Sequence, residues 1–146
     1  MNDERIYVIV PQTVQVMHPY PYILCNLGEI PYEVESKPMV PGRLIAQGVH
    51  IGRMLGYWMT LHNVDYKEIT TIVLAVRNSK ELAKVSKEIQ EVVNSLPFTV
   101  PYEEFHDTNL EFYGTADKVH TITSVGPISP EIREKLENAL GHLELY

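Results

Sequence analysis

Three side chains of different chemistry recur at helical spacing in the first half of the chain. Arg43, Gln47 and His50 stand at positions i, i+4 and i+7, so a helix would place a cation, an amide and a titratable imidazole on one face. The neighbouring face is apolar and would hold this helix on a core through Leu44, Ile51, Leu55 and Trp58. The pattern fits a polar surface that lines a cleft or, alternatively, a solvated helix face.

The elements that would position this helix alternate between strands and helices. Apolar runs predict strands over Arg5–Val10, Thr70–Val76 and Val119–Val125, and a further strand that begins within Phe98–Tyr102. A 3.6-residue periodicity predicts a helix that is capped by Asn78 or Ser79 and stops at Pro97. Ser129-Pro130-Glu131 predicts the start of a last helix, which Gly141 ends. The alternation indicates an α/β fold, a small mixed β-sheet with helices packed on both faces.

The segment 11–38 is the exception to this compact alternation. Residues 11–41 hold six of the ten prolines and run far longer than a typical connection between a strand and a helix. Proline-rich sequence resists helix and central strand, so we expect an insertion within a single domain over residues 1–146. It would be an ordered excursion or a hairpin with Asn26-Leu27-Gly28 near its tip. Its tyrosines and Ile23-Leu24 should be buried, in a lid over the His50 helix or in a dimer-forming arm. A packed surface loop without a partner is the alternative.

The amino-acid composition indicates the cellular compartment of the protein and limits its possible partners. The single cysteine, Cys25, excludes an internal disulfide framework and suits a reducing cytosol. No apolar segment approaches membrane-spanning length, so we predict a cytoplasmic protein with no membrane partner. The net charge of -7 disfavours nucleic acid, because phosphate binding needs clustered cations. The candidates for a local basic patch are Arg43, Arg53, Lys80, Lys84 and Lys87.

Metal and cofactor motifs are missing from the sequence. The six histidines are scattered, and none shows H-x-x-x-H or cysteine-paired spacing. No glycine-rich motif of the phosphate-cradling type occurs, so we expect neither a metal nor a cofactor. Gly48, Gly52 and Gly56 recur every four residues, which we interpret as a sign of close helix packing rather than of ligand contact.

Several short motifs occur together in a fixed order. Met39 and Gly42 precede Ala46, Gln47 and His50; Asp107 precedes Thr121 and Gly126-Pro127; and the last residues are Gly141-His142-Leu143-Glu144-Leu145-Tyr146. In this order residues 39–146 resemble the archaeal and eukaryotic type of peptidyl-tRNA hydrolase. That family reads M-x-x-G-K-x-A-A-Q-x-x-H in its first helix, then D-A-G-x-T, T-x-x-x-x-G-P and a closing G-x-L-K-L-Y. The resemblance implies the same α/β fold.

The resemblance also implies an activity, hydrolysis of the ester that joins a nascent peptide to the tRNA ribose. Arg43 would then hold phosphate or polarise the ester, while Asp107 and His50 would be the candidates for orienting or deprotonating water. The implied substrate-binding residues are Gln47, which positions substrate through its amide, Thr121, which supports the site from its strand, and Arg53. Peptidyl-tRNA would be the partner, no cofactor would be needed, and a homodimer is expected.

Three departures from the family pattern favour a second hypothesis. Arg43 stands where the family has lysine, Thr108-Asn109 replaces the Ala-Gly pair after Asp107, and Glu144 replaces a lysine. An arginine keeps the charge but changes the geometry of the donors. These positions favour a non-catalytic homodimeric binding module that keeps the peptidyl-tRNA hydrolase fold. From the sequence alone, whether the chain is an enzyme stays open.

Overall fold

The computed structural model describes residues 3–19, 32–64, 69–108, 113 and 118–146, and for 15–19 and 32–36 the backbone only. The strands are β1 (Arg5–Pro11), β2 (Thr13–Pro19), β3 (Tyr32–Pro38), β4 (Thr70–Val76), β5 (Tyr102–Asp107), β6 (Val119–Ile128) and β7 (Glu144–Leu145). The helices are α1 (Pro41–Leu61), α2 (Ser79–Ser95), α3 (Pro130–Lys135) and α4 (Glu137–Leu140).

A mixed sheet of five strands forms the centre of the fold, in the order β5-β6-β1-β4-β7. β1 and β4 pair in parallel, from Arg5 opposite Thr70 to Pro11 opposite Val76. The other pairs of this sheet are antiparallel. β5 therefore lies at one edge of the sheet, next to β6.

Helices cover both faces of this sheet because the side chains of β1 alternate between them. Ile6, Val8 and Val10 face α1, where the buried core residues are Ile51, Leu55 and Met59. Tyr7 and Ile9 face the other side, where α2 contributes Leu82, Val85 and Ile89, and α3 and α4 add Ile132, Ala139 and Leu140. The predicted fold class, a small mixed sheet with helices on both faces, is confirmed.

The ends of the helices follow local capping chemistry. The side chain of Asn78 accepts a hydrogen bond from the Glu81 backbone N–H at 2.9 Å, and Ser129 accepts one from Ile132 at 3.4 Å. β5 begins at Tyr102, the last residue of the range Phe98–Tyr102 within which the sequence predicted its start. Its alternation of polar and aromatic residues suits an edge strand and gives no continuous apolar run.

The segment before α1 contains a paired ladder. β2 and β3 are antiparallel, from Thr13 opposite Pro38 to Pro19 opposite Tyr32. The expected hairpin tip at Asn26-Leu27-Gly28 and the predicted burial of Ile23-Leu24 and the tyrosines lie outside the described residues and side chains. Within the described ranges, no helix combines the length and apolar character needed to cross a membrane.

Candidate functional site

A buried amide on α1 links that helix to the edge strand β5 and to its neighbour β6. Gln47 is only 2% exposed. Its Nε2 donates to Asp107 Oδ2 on β5 at 3.1 Å, and its Oε1 accepts from the Thr121 hydroxyl on β6 at 2.6 Å. A buried amide needs such partners, because an unpaired polar group in a core costs about 1–3 kcal/mol. Gln47 therefore fixes the position of α1 relative to the strands.

A bulge in β6 turns Thr121 towards this amide. Phe105 pairs with Ile122 and His106 with His120, so Thr121 stands between two consecutive pairs without an opposing residue. Thr121 is fully buried, and its hydroxyl also lies 3.4 Å from the Phe105 carbonyl. Because β6 has this extra residue, the Thr121 hydroxyl points towards α1, whereas regular alternation of side chains along the strand would not point it there.

Asp107 ends β5 and accepts three hydrogen bonds. Oδ2 accepts from Gln47 and from the Tyr113 hydroxyl, the latter at 2.9 Å, and Oδ1 accepts from the Thr108 backbone N–H at 3.0 Å. Burial raises the pKa of Tyr113, and the hydrogen bond to Asp107 raises it further, although the charge of Arg43 acts in the opposite direction. Tyr113 therefore stays a protonated donor at neutral pH. A carboxylate has about four lone-pair positions, which leaves room for one more donor, such as a water molecule.

The charged and titratable residues of α1 lie beside this network. The guanidinium of Arg43 lies over the Tyr113 ring, with Cζ 5.9 Å from the ring centroid. The His50 ring stacks on Phe105 at a centroid separation of 4.2 Å, and Arg53 approaches His50 Nδ1 at 3.4 Å. Phe105 and Asp107 are two residues apart on one strand and point to the same face. Arg43, Gln47 and His50 thus all meet the α1 face of β5.

The lysines of the candidate basic patch lie elsewhere. Lys80, Lys84 and Lys87 belong to α2, which covers the opposite face of the sheet. Only Arg43 and Arg53 of that set are on α1. Residues 41–61 nevertheless contain no Asp or Glu, so α1 carries net positive charge in a protein whose net charge is -7. The charge of α1 is therefore opposite in sign to that of the whole chain.

Two contributors to the site were not singled out in the sequence. Tyr113 is fully buried in a cluster with Val14 of β2 and Met39, so the base of the β2–β3 ladder lies beside the site. The sequence before Tyr113, Leu110-Glu111-Phe112, is partly apolar, and nothing in the sequence singled out Tyr113 from the adjacent Phe112. Phe105 had a clearer signal, because its spacing of two from Asp107 in a strand predicts a shared face.

Together these groups provide the parts needed to bind and activate a polar substrate. Asp107 offers a hydrogen-bond acceptor and proton acceptor, Arg43 a cation, and His50 a titratable ring beside them. The amide of Gln47 and the hydroxyls of Thr121 and Tyr113 hold the carboxylate in place. Such a constellation is suited to orienting a water molecule near an electrophilic carbonyl.

Comparisons with known proteins add no assignment to this geometry. Neither the scan of the sequence against protein-family models nor the search of curated proteins found a match. The resemblance to peptidyl-tRNA hydrolases therefore rests on the short motifs, and the activity that it implies is a hypothesis.

Proposed function

We propose that this protein hydrolyses the ester bond of peptidyl-tRNA and releases peptide and tRNA. The observation that carries the proposal is the hydrogen-bonded network of Gln47, Asp107 and Thr121. These residues come from three motifs of the family pattern and are up to 74 positions apart in the chain. Their contact supports a common role, because a shared site is the simplest reason for separate motifs to converge.

In the proposed reaction, Asp107 orients a water molecule and accepts its proton as the water oxygen attacks the ester carbonyl carbon. The tetrahedral intermediate then expels the ribose oxygen, which takes up a proton, and the peptide leaves with a carboxylate. Gln47, Tyr113 and the Thr108 N–H hold Asp107 in one orientation throughout. Fixed placement of the base avoids the entropic cost of aligning it with water and substrate.

Arg43 and His50 have supporting roles in this proposal. Arg43 places a permanent positive charge beside Tyr113, where it would bind a tRNA phosphate or stabilise the developing oxyanion. His50, held against Phe105, is the alternative proton acceptor. Arg53 extends the positive surface of α1 towards the tRNA backbone. The proposed substrate places the protein in the cytoplasm.

The decisive experiment measures release of the amino acid from an N-acetylated aminoacyl-tRNA, the minimal analogue of peptidyl-tRNA, by the purified chain. We expect turnover by the wild type and a loss of about 10²- to 10⁴-fold in Asp107→Asn, the range that a general base contributes. His50→Gln should cost less if Asp107 is the base. Arg43→Lys, which keeps the charge, should stay active.

The matched control is Glu131→Gln, which removes an exposed carboxylate from α3 on the opposite face of the sheet. It should retain wild-type turnover. Each variant is first checked for cooperative thermal unfolding, so that loss of activity is not confused with loss of fold. A folded wild type without turnover, or an Asp107→Asn variant as active as the wild type, would refute the proposal.

The second candidate function is a non-catalytic homodimeric binding module, and one observation favours it. The outer surface of α1 exposes large apolar side chains, with Ile45 at 67%, Val49 at 51%, Tyr57 at 69% and Leu61 at 61%. No described atom lies within 4 Å of a Cβ built on Gly48, Gly52 or Gly56. Among the described residues, the close packing expected from these glycines is therefore not found, and this face of α1 offers an interface to a second copy.

Light scattering during size-exclusion chromatography tests this candidate, since the chain has a mass of 16.7 kDa and a dimer twice that. Ile45→Glu should convert a dimer to a monomer. Phe98→Glu is the control, because Phe98 is 52% exposed but lies outside α1. A wild type that stays monomeric at high concentration would exclude the homodimer without bearing on hydrolysis.

A further inference from the structure

A second cluster of polar side chains lies on the face of the β5–β6 edge opposite the candidate active site. Glu104 and His106 are two residues apart on β5 and therefore share a face. His120 on β6 is the cross-strand partner of His106. The two imidazole rings stack at a centroid separation of 4.8 Å with an interplanar angle of 15°. The pairing register of β5 with β6, and not the spacing of the residues in the sequence, brings the three residues together.

The nitrogens of both rings point at one carboxylate oxygen. His106 Nε2 lies 3.0 Å from Glu104 Oε1, and His120 Nε2 lies 3.7 Å from the same atom. The other oxygen, Oε2, accepts a hydrogen bond from the Tyr102 hydroxyl. This hydrogen bond from Tyr102 holds the carboxylate with Oε1 turned towards the histidines.

The distances from Glu104 Oε1 to the two histidine nitrogens are close to those between ligands around a small transition-metal ion. Nitrogen and oxygen ligands lie about 2.0–2.1 Å from zinc, and in a tetrahedral site they are therefore roughly 3.3 Å from one another. The separations of 3.0 and 3.7 Å from Glu104 Oε1 bracket that value. The candidate ligand atoms of the three residues all lie within 4.8 Å of one another.

The surroundings allow His120 to exchange its present partner for a metal. His120 Nε2 lies 2.7 Å from the hydroxyl of Thr123, which itself lies 2.7 Å from the Ser86 hydroxyl on α2. If His120 turned to a metal, Thr123 would keep Ser86 as a partner, so no buried hydroxyl would be left unpaired.

We infer that Glu104, His106 and His120 form a binding site for a divalent transition-metal ion, with Zn²⁺ as the preferred ion. Two imidazoles and one carboxylate are a zinc ligand set, and three protein ligands leave a fourth position for water or an anionic ligand. The side chain of His106 is 43% exposed, so that position opens to solvent. Tyr102 would act as the outer partner that orients the carboxylate.

Metal binding here would also affect the neighbouring site. His106 precedes Asp107, and His120 precedes Thr121, so one ion would join β5 to β6 at the bulge that presents Thr121 to Gln47. The inferred metal site does not depend on the proposed hydrolase activity. It predicts a stabilising cross-link between the edge strand β5 and its neighbour β6, whatever reaction the other face supports.

The experiment titrates Zn²⁺ into untagged, chelator-stripped protein by calorimetry, with thermal unfolding measured in parallel. We expect one equivalent of Zn²⁺ to bind and the midpoint of unfolding to rise with metal concentration, because a ligand that binds only the folded state stabilises it. His106→Gln and Glu104→Gln should each weaken binding by at least about tenfold, since loss of even an outer partner typically costs 10- to 100-fold. Both should abolish the rise in midpoint.

Two variants serve as matched controls. His142→Gln removes an exposed histidine outside the cluster, and Glu103→Gln removes the neighbouring carboxylate, which points to the other face of β5. Both should bind Zn²⁺ like the wild type. The inference is overturned if the stripped wild type binds no Zn²⁺ stoichiometrically, or if His106→Gln and His142→Gln weaken binding equally. Because His106 is an exposed residue, His106→Gln should fold even if the other variants do not.

Discussion

Gln47 is the residue on which the candidate site depends most directly. It is buried and bonded to both Asp107 and Thr121, so Gln47→Ala would remove two hydrogen bonds and leave the buried Thr121 hydroxyl with only its 3.4 Å contact to the Phe105 carbonyl. We expect a loss of about 1–3 kcal/mol in the free energy of unfolding. Urea denaturation monitored by the fluorescence of Trp58 measures it. Gln90→Ala, an exposed amide on α2, should change stability little, and an equally small effect at Gln47 would show that the network is not structural.

The sequence predicted part of this residue-scale arrangement. Helical spacing placed Arg43, Gln47 and His50 on one face, and the structure has all three at the α1 face of β5. The sequence did not predict that Gln47 is buried or that the His50 ring stacks on Phe105, because both features depend on how β5 packs against α1. The contact of His106 with His120 was likewise beyond sequence spacing, since it depends on a strand register shifted at a bulge.

At the scale of elements, Gly126 shows how a strand position constrains its residue. Gly126 has φ of +118°, and a Cβ there would approach the Arg5 carbonyl oxygen at 2.5 Å. Gly126→Ala should therefore cost more than about 2 kcal/mol of stability. Gly52→Ala is the contrasting control in α1, where a Cβ meets no described atom within 4 Å. It should stabilise by about 0.5–1 kcal/mol, as measured by chemical denaturation of both variants.

The start of α2 gives a prediction with a defined pH dependence. The hydrogen bond from Arg77 lowers the pKa of Glu81 below its usual 4.5. As the pH falls, Glu81 therefore takes up its proton in the unfolded state before it does so in the folded state. Its contribution to the free energy of unfolding is present above about pH 5 and is lost below its folded-state pKa. Glu81→Gln should lower the free energy of unfolding by roughly 0.3–1 kcal/mol at pH 7, but not at pH 2.

Asn78→Ala is the control for that experiment, because it removes an uncharged cap. Its loss of about 1 kcal/mol should be similar at both pH values. An effect of Glu81→Gln that persisted unchanged at low pH would show that the carboxylate charge is not responsible. Urea denaturation of the three proteins at the two pH values supplies the comparison.

Elements with strong local signals were predictable, and those that depend on their neighbours were not. The β-branched run Thr70–Val76 matched β4 at both ends, and the caps at Asn78 and Ser129 began helices as expected. The start of β5 was predicted only to within Phe98–Tyr102, because β5 lies at the sheet edge, where one polar face carries no apolar signal. Pairing with β6, a tertiary effect, determines where that strand begins.

For the molecule as a whole, the net charge of -7 and the positive surface of α1 lead to opposite expectations about tRNA. Local charge should decide, because screening at physiological salt limits the reach of distant charges to about 8 Å. We therefore expect tRNA to bind through α1 at physiological salt, where this screening holds. The logarithm of the affinity should fall linearly with the logarithm of salt concentration, since each neutralised phosphate releases counterions.

Single charge removals test where this binding occurs. Arg43→Gln and Arg53→Gln should each weaken binding of deacylated tRNA and reduce the salt slope by about 1, the change expected for one lost phosphate contact. Lys87→Gln removes an exposed cation from α2 on the opposite face of the sheet and should leave both quantities unchanged. Fluorescence anisotropy over a range of salt concentrations gives affinity and slope together.

Binding that does not respond to salt, or a slope that Lys87→Gln reduces as much as Arg53→Gln does, would exclude α1 as the tRNA surface. The exposed apolar residues of α1 would then favour the homodimeric binding module, since an apolar interface shows little dependence on salt.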